Sequence, residues 1–182
     1  MRQIQAVFLD RDGTIGGDDT VHYPGQFELY PYSASLIQKL KQDNVKIFSF
    51  TNQPGISRGL AKVEDFEEEL KTLGFDDVYL CPHSHHDGCS CRKPNTGMLL
   101  AAQQKHDLIP ENCVVIGDRW SDLVAAEQAG CLKILVRTGA GEAALNEHAD
   151  RLKDVRIDYV AKNLEDAVGW LYRNFTIRNK VG

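Results

Sequence analysis

Nowhere in the 182 residues does an apolar run approach the ~18 positions that a membrane-spanning helix needs. Near the start, only Ala6–Leu9 is continuously apolar before charge sets in. That is short of the roughly 7–15 apolar residues of a secretory signal, so a cytoplasmic protein is expected. Positive charge is scarce too. Lys and Arg total 21 against 26 Asp and Glu, a net charge of −5, so no general attraction to polyanions is available and nucleic acid is not an expected partner. Cysteine is limited to five residues, Cys81, Cys89, Cys91, Cys113 and Cys131. An odd number in a chain of this length argues against a disulfide scaffold. No internal repeat or low-complexity segment interrupts the chain.

What is present is the balance of an ordinary globular domain, 42% apolar and 26% charged. At roughly 150 residues per domain, one domain over residues 1–182 is expected. Short apolar runs alternate with amphipathic stretches. Ala6–Leu9, Val45–Phe50, Val78–Leu80, Cys113–Ile116, Lys133–Val136 and Tyr159–Val160 read as strands. Ser33–Asp43, Val63–Leu73, Thr96–His106, Ser121–Ala129 and Leu164–Phe175 read as helices, with Gly74 and Gly130 as stop signals and Thr96 as a cap. Continuous apolar strands between helices imply an α/β fold, a three-layer Rossmann-like parallel sheet with helices on both faces. Ligands in such sheets sit at the carboxyl ends of the strands.

Those ends carry chemistry. The first strand runs into Asp10-Arg11-Asp12-Gly13-Thr14, the second into Thr51-Asn52-Gln53, and the strand at 113–116 into Gly117-Asp118-Arg119 with Asp122 close behind. Arg92-Lys93 precedes the helix leading to that last strand. Asp10 and Asp118, with a backbone carbonyl near Asp12, make a hard oxygen set suited to Mg²⁺, which would relieve the repulsion between the carboxylates. One carboxylate can attack phosphorus, and a second two residues on can move the proton. Thr51 and Lys93 can hold the transferring group. Taken singly, each residue is more often a turn, cap or solvated loop residue; their joint arrival at strand ends argues for a site.

The cysteine cluster is a separate signal. Cys81-Pro82-His83 and Cys89-Ser90-Cys91 place four N/S ligands within one short segment, the ligand set of a tetrahedral structural Zn²⁺. One residue separates the members of each pair, tighter than usual. His85 and His86 compete with His83, and a loop of reduced thiols is the alternative. Cys113 and Cys131 lie beside apolar strands and read as inert core thiols. His22, in the loop after the first motif, reads as a solvated loop residue.

Asp10-Arg11-Asp12-Gly13-Thr14, Thr51, Lys93 and Gly117-Asp118 through Asp122 together resemble the four motifs of the haloacid dehalogenase superfamily of phosphohydrolases. Thr51–Gly59, Cys81-Pro82-His83, Cys89-Ser90-Cys91-Arg92-Lys93-Pro94 and Gly97-Met98-Leu99 resemble its branch of heptose-bisphosphate and histidinol-phosphate phosphatases. The resemblance implies Asp10 as nucleophile and Asp12 as general acid/base. It implies Thr51 and Lys93 as phosphoryl holders, and Asp10, Asp12 (by its carbonyl) and Asp118 as Mg²⁺ ligands. Asn52, Gln53, Arg58, Arg92 and Arg119 would bind substrate, and Cys81, His83, Cys89 and Cys91 would hold zinc in a loop at 81–91. Ion pumps of the superfamily carry Thr where Asp12 stands; Asp there favours turnover over a lasting phospho-acceptor.

Neither Ile15–Pro31 nor Thr51–Lys93 has room for a folded cap, so a capless enzyme with an open site is expected. The loop after Thr14 is shorter than the branch's usual substrate loop, and Arg119 replaces a usual Lys. The expected substrate is therefore a small phosphorylated metabolite, such as a heptose 1,7-bisphosphate, with histidinol phosphate or a nucleic-acid 3′-phosphate as alternatives. A monomer is the expected state.

Overall fold

The first strand, β1 (Ala6–Leu9), has only apolar side chains and all are buried. Successive strand residues point to opposite faces, so such a strand needs cover on both. A computed structural model, which describes residues 1–177, supplies it. After β1 come α1 (Ser33–Gln42), β2 (Lys46–Ser49), β3 (Thr51–Asn52), α2 (Val63–Leu73), β4 (Leu80–Cys81) and α3 (Gly97–Lys105). They are followed by β5 (Cys113–Gly117), α4 (Trp120–Ala129), β6 (Leu132–Val136), α5 (Gly141–Asn146), β7 (Tyr159–Ala161) and α6 (Leu164–Asn174). The main sheet has strand order β2-β1-β5-β6-β7 and is parallel throughout.

Two cores follow from the alternation. Val7, Leu9, Val114 and Ile116 pack with Ile37 and Leu40 of α1 and Leu164, Val168 and Leu171 of α6. Ala6, Phe8, Cys113 and Val115 pack on the opposite face with Leu99 and Ala102 of α3 and Ala125 and Ala126 of α4. The three-layer α/β expectation holds. Helices α2 and α4 end where expected, at Gly74 and Gly130, both left-handed with φ of 108° and 79°, a conformation glycine adopts at little cost. Thr96 does stand at the N-cap of α3, but its side chain makes no capping hydrogen bond.

The second strand departs from expectation. The run Val45–Phe50 is broken after Ser49, and the strand expected at Val78–Leu80 is Leu80–Cys81. Side chains add to the pairing between this run and residues 76–79. Asp76 Oδ2 accepts the Ile47 N–H at 2.8 Å, and Ser49 Oγ accepts the Tyr79 N–H at 2.7 Å while donating to the Tyr79 carbonyl at 3.0 Å. They stand beside backbone rungs from Asp76 N to Ile47 O at 2.8 Å and from Ser49 N to Asp77 O at 3.4 Å. The rungs continue where Thr51 N donates to Tyr79 O at 3.3 Å and Gln53 N to Cys81 O at 2.8 Å. The six-residue α5 goes unread in the sequence, being too short to show a period. No helix among the described residues is long and apolar enough to cross a membrane.

Phe8 lies 5.2 Å from the Phe48 ring and 6.4 Å from Phe50, fully buried. Phe8→Ala is expected to cost about 3–5 kcal/mol, the range for emptying a core phenylalanine site; equilibrium urea unfolding measures it, and a loss under ~1 kcal/mol would show that this cluster does not carry the core.

Candidate active site

The carboxyl ends of β1, β3 and β5 open on one cleft. Asp10 N donates to Ile116 O at 3.1 Å, extending the β1–β5 pairing one residue and holding the Asp10 side chain at the sheet edge. Carboxylate oxygens of Asp10, Asp118 and Asp122 lie within 4.8 Å of one another, all buried. Burial, with Asp10 and Asp122 adding repulsion, lifts Asp118 well above the usual carboxylate range. Burial also pushes Asp122 up to about 7, against the pull of Lys93. Lys93 Nζ lies 2.5 Å from Asp122 Oδ1 and 3.3 Å from Asp10 Oδ1, and it donates to Phe50 O at 2.7 Å. Burial alone would lower the Lys93 ammonium, but Asp10 and Asp122 outweigh it and hold it above its ordinary value. One cation thus faces three acids. That deficit and the all-oxygen donor set fit a hard divalent cation.

The neighbouring segments fix these groups. Asn52 grips the Lys93 backbone from both sides: its Oδ1 accepts Lys93 N at 3.1 Å and its Nδ2 donates to Lys93 O at 3.4 Å. Asp118 accepts from Thr14 Oγ1 at 3.2 Å and from Ala140 N at 2.8 Å. Thr138 Oγ1 donates to Gly13 O at 2.7 Å. The loop after β6 therefore belongs to the site, although the sequence reading stopped at the β5 end. Reading every strand end of the parallel sheet would have found it. A Cβ on Gly13 (φ 84°) or Gly139 (φ 57°) would overlap Asp118 Oδ2, so the backbone must be bare at both.

Asp12 is held apart from that acid cluster. Its Oδ1 accepts from Arg11 Nη1 at 2.8 Å and from His22 N at 2.9 Å, and its Oδ2 accepts from Gln53 Nε2 at 2.9 Å. Gln53 Nε2 also reaches Thr51 Oγ1 at 2.9 Å. Gln53 is fully buried, so it sits behind Asp12 and Thr51 and not on the cleft wall where a substrate-binding residue was expected. His22 enters the site through its backbone, while its ring turns to Asp18 Oδ1 at 2.9 Å. Arg11 itself was not singled out in the sequence.

The cleft, of about 430 Å³, is lined by Asp10, Asp12, Thr51, Asn52, Lys93, Arg92 and Arg119, with His85, Trp120 and Val21 at its sides. Arg119 Nη2 donates to Asp19 O at 2.5 Å, joining the 15–31 loop to α4. Arg58 is exposed and stands outside the cleft lining. Residues 15–31 form bridges but no helix or strand element, and nothing among the described residues caps the cleft as a separate unit.

The sulfur cluster assembles as read. Donor atoms of Cys81, His83, Cys89 and Cys91 all lie within 4.8 Å of one another. Cys91 Sγ is 2.9 Å from Cys81 Sγ and 3.2 Å from His83 Nδ1, and Cys81 Sγ is 3.5 Å from Cys89 Sγ. Four soft donors converging on one point can hold a metal ion. His85 lies elsewhere, against Arg92 Nη2 at 2.9 Å. Cys113 and Cys131 are buried core thiols, which burial pushes up to about 12 and about 11.

A family model described as HAD-hydrolase-like matches residues 90–167. The chain is 32% identical over 180 residues, 92% of its length and 97% of the relative's, to a D-glycero-beta-D-manno-heptose-1,7-bisphosphate 7-phosphatase of Helicobacter pylori. The chain belongs to the haloacid dehalogenase-like hydrolase family. It is a phosphatase, like its relatives. A Vibrio cholerae enzyme of the same name is 36% identical over 82% of this chain and 93% of its own. The D,D-heptose 1,7-bisphosphate phosphatase of Bordetella bronchiseptica, crystallised with magnesium and phosphate, superposes with a TM-score of 0.80 at 30% identity. The match covers 93% of this chain and 99% of that one.

The bare backbone at Gly139 gives a direct test. Gly139→Ala is expected to leave the protein folded by circular dichroism and to cut phosphatase turnover about 10²-fold, the scale of a 1 Å misplacement of catalytic groups. Turnover near that of the parent would mean that the loop after β6 yields freely and does not brace Asp118.

Proposed function

We propose that this phosphatase hydrolyses a phosphomonoester of a small sugar bisphosphate, of the heptose 1,7-bisphosphate type, with Mg²⁺ and through an aspartyl-phosphate on Asp10. The observation that carries the reading is the separation of two carboxylates two residues apart. Asp10 sits among acids and Lys93, while Asp12 is gripped by three neutral or cationic donors. One environment suits attack on phosphorus and the other suits proton movement. The substrate class rests on the relatives' names and their near full-length match.

In this reading an Asp10 carboxylate oxygen attacks phosphorus, the bond from phosphorus to the sugar oxygen breaks, and Asp12 gives that oxygen its proton. Asp12 then takes a proton from water, which attacks the phosphorus of the aspartyl-phosphate, releasing phosphate and restoring the Asp10 carboxylate. Lys93 and Thr51 hold the non-bridging oxygens. Asp10, Asp118 and the Asp12 carbonyl would hold Mg²⁺, with Asp122 anchoring Lys93; bound there, the ion offsets the repulsion between phosphate and carboxylate. Arg92, Arg119 and Asn52, which face the cleft, hold the rest of the substrate.

Zn²⁺ on Cys81, His83, Cys89 and Cys91 has a mechanical role. The Cys81 carbonyl pairs with Gln53 N, and Arg92 and Lys93 follow directly on Cys91. A metal here pins the segment that aims both cations.

Phosphate release from sugar bisphosphates and histidinol phosphate, with Mg²⁺ and with EDTA, tests the reading. Turnover on a sugar bisphosphate that EDTA abolishes is expected, with Asp10→Asn and Asp12→Asn each losing at least ~10²-fold. Undiminished turnover by either variant, or stoichiometric phosphorylation without turnover, overturns it. For zinc, elemental analysis of reduced protein is expected to find one ion per chain. Cys89→Ser is expected to lose that ion together with about 10–100-fold in activity; a zinc-free protein of full activity refutes the mechanical role.

A further inference from the structure

We infer that Arg11, aligned by Glu69, is a positioning residue for Asp12 and couples that carboxylate to the loop over the cleft. This rests on the proposed acid/base role of Asp12. Arg11 is the largest fully buried side chain in the protein, and arginine is rarely buried without a partner. Here every nitrogen of the guanidinium is used. Nε and Nη2 donate to the two oxygens of Glu69 at 2.7 and 3.0 Å, a bidentate fork. Nη1 donates to Asp12 Oδ1 at 2.8 Å and to His22 O at 2.5 Å. The flat face lies 3.8 Å from the Phe27 ring centre and 4.9 Å from that of Phe66.

These contacts tie α2, through Glu69 and Phe66, to the 15–31 loop, through His22 and Phe27, and to the Asp12 carboxylate. A cation serving only to neutralise Asp12 would not need a bidentate partner on α2. Glu69 fixes the plane of the fork, and with it the direction of the one nitrogen left for Asp12. Because His22 donates its own N–H to the same Asp12 oxygen, moving the loop removes a donor from Asp12 and an acceptor from Arg11 together. The geometry makes Asp12 sensitive to how the loop seats against substrate.

The test compares the parent, Arg11→Lys, Glu69→Gln and Asp12→Asn across phosphate monoesters of graded leaving-group acidity, from alkyl to nitrophenyl, with melting temperature in parallel. Glu69→Gln keeps the shape of the side chain and touches neither substrate nor Asp12. It is expected to lose about 10-fold or more in kcat on alkyl phosphates and little in KM. Its loss of nitrophenyl-ester cleavage should be small in the first turnover, since nitrophenolate leaves without a proton. Arg11→Lys should show the same steepened dependence, more strongly. An equal loss on all esters, or none, overturns the positioning role. If Asp12→Asn shows no leaving-group dependence, the acid/base reading falls and takes this inference with it. If Asp12→Asn shows it and Glu69→Gln does not, the positioning role alone falls.

Discussion

Like charges resist being brought together out of water, and this protein places the carboxylates of Asp10, Asp118 and Asp122 in one buried cluster. Ionised carboxylates cannot share such a space without opposite charge or donors. Much of the surrounding structure answers that constraint. Lys93 is threaded back to the cluster and held by the Phe50 carbonyl and the Asp122 carboxylate. Thr14 and the Ala140 N–H supply donors to Asp118, and Arg119 N supplies one to Asp122 at 3.0 Å. Gly13 and Gly139 leave the space that Asp118 fills. Positive charge still falls short of negative charge, and this is the electrostatic case for a divalent cation.

The short ladder between β3 and β4 has a role out of proportion to its length. Through it, Cys81 of the sulfur cluster and Gln53, behind the cleft, are hydrogen-bonded neighbours. At its other end the same cluster reaches Cys91, one residue before Arg92. Residues 81–93 are thus anchored at both ends, by backbone pairing at Cys81 and by the Asn52 grip on Lys93. A flexible segment between these anchors would let Lys93 drift from Asp10. Cross-linking the segment's sulfur and imidazole donors through one ion, as proposed, would remove that freedom without adding a hydrophobic core.

Legibility in the sequence followed the physics of each feature. The sheet was readable because β1 and β5 are buried on both faces and so are continuously apolar. Asp10, Thr51 and Asp118 were readable because they directly follow such runs. The sulfur cluster was readable because its ligands are close in sequence. What escaped depends on contacts between distant residues. Glu69 lies on the acidic face of α2, where a carboxylate ordinarily meets water, and its pairing with Arg11 spans 58 positions. The His22 contribution is a backbone one, invisible to any reading of side-chain type. The side-chain bonds of Asp76 and Ser49 that brace residues 47–49 against 76–79 are likewise unannounced by the local sequence. Gln53 was expected to bind substrate, from the resemblance of its strand-end motif, but its amide holds Asp12 and Thr51.

The contrast between Asp10 and Asp12 shows how neighbouring residues of one type acquire different chemistry. Both leave β1 in the same short turn. Asp10 remains in register with β5 and faces acids, so an attached phosphoryl group would meet Lys93 and whatever cation the cluster holds. Asp12, two residues on, leaves the sheet register and meets donors from the 15–31 loop, from Gln53 just after β3 and from its neighbour Arg11. The sheet therefore fixes the first carboxylate rigidly, whereas the second depends on a loop that also borders the cleft. Rigid placement suits an atom that must reach phosphorus along a line. Dependence on the loop suits a proton donor that must meet the oxygen of one particular leaving group, because the side of the cleft that contacts the sugar is then the side that sets the donor's orientation. With no separate cap among the described residues, the proposed coupling would give the loop a part in selecting substrate beyond its direct contacts.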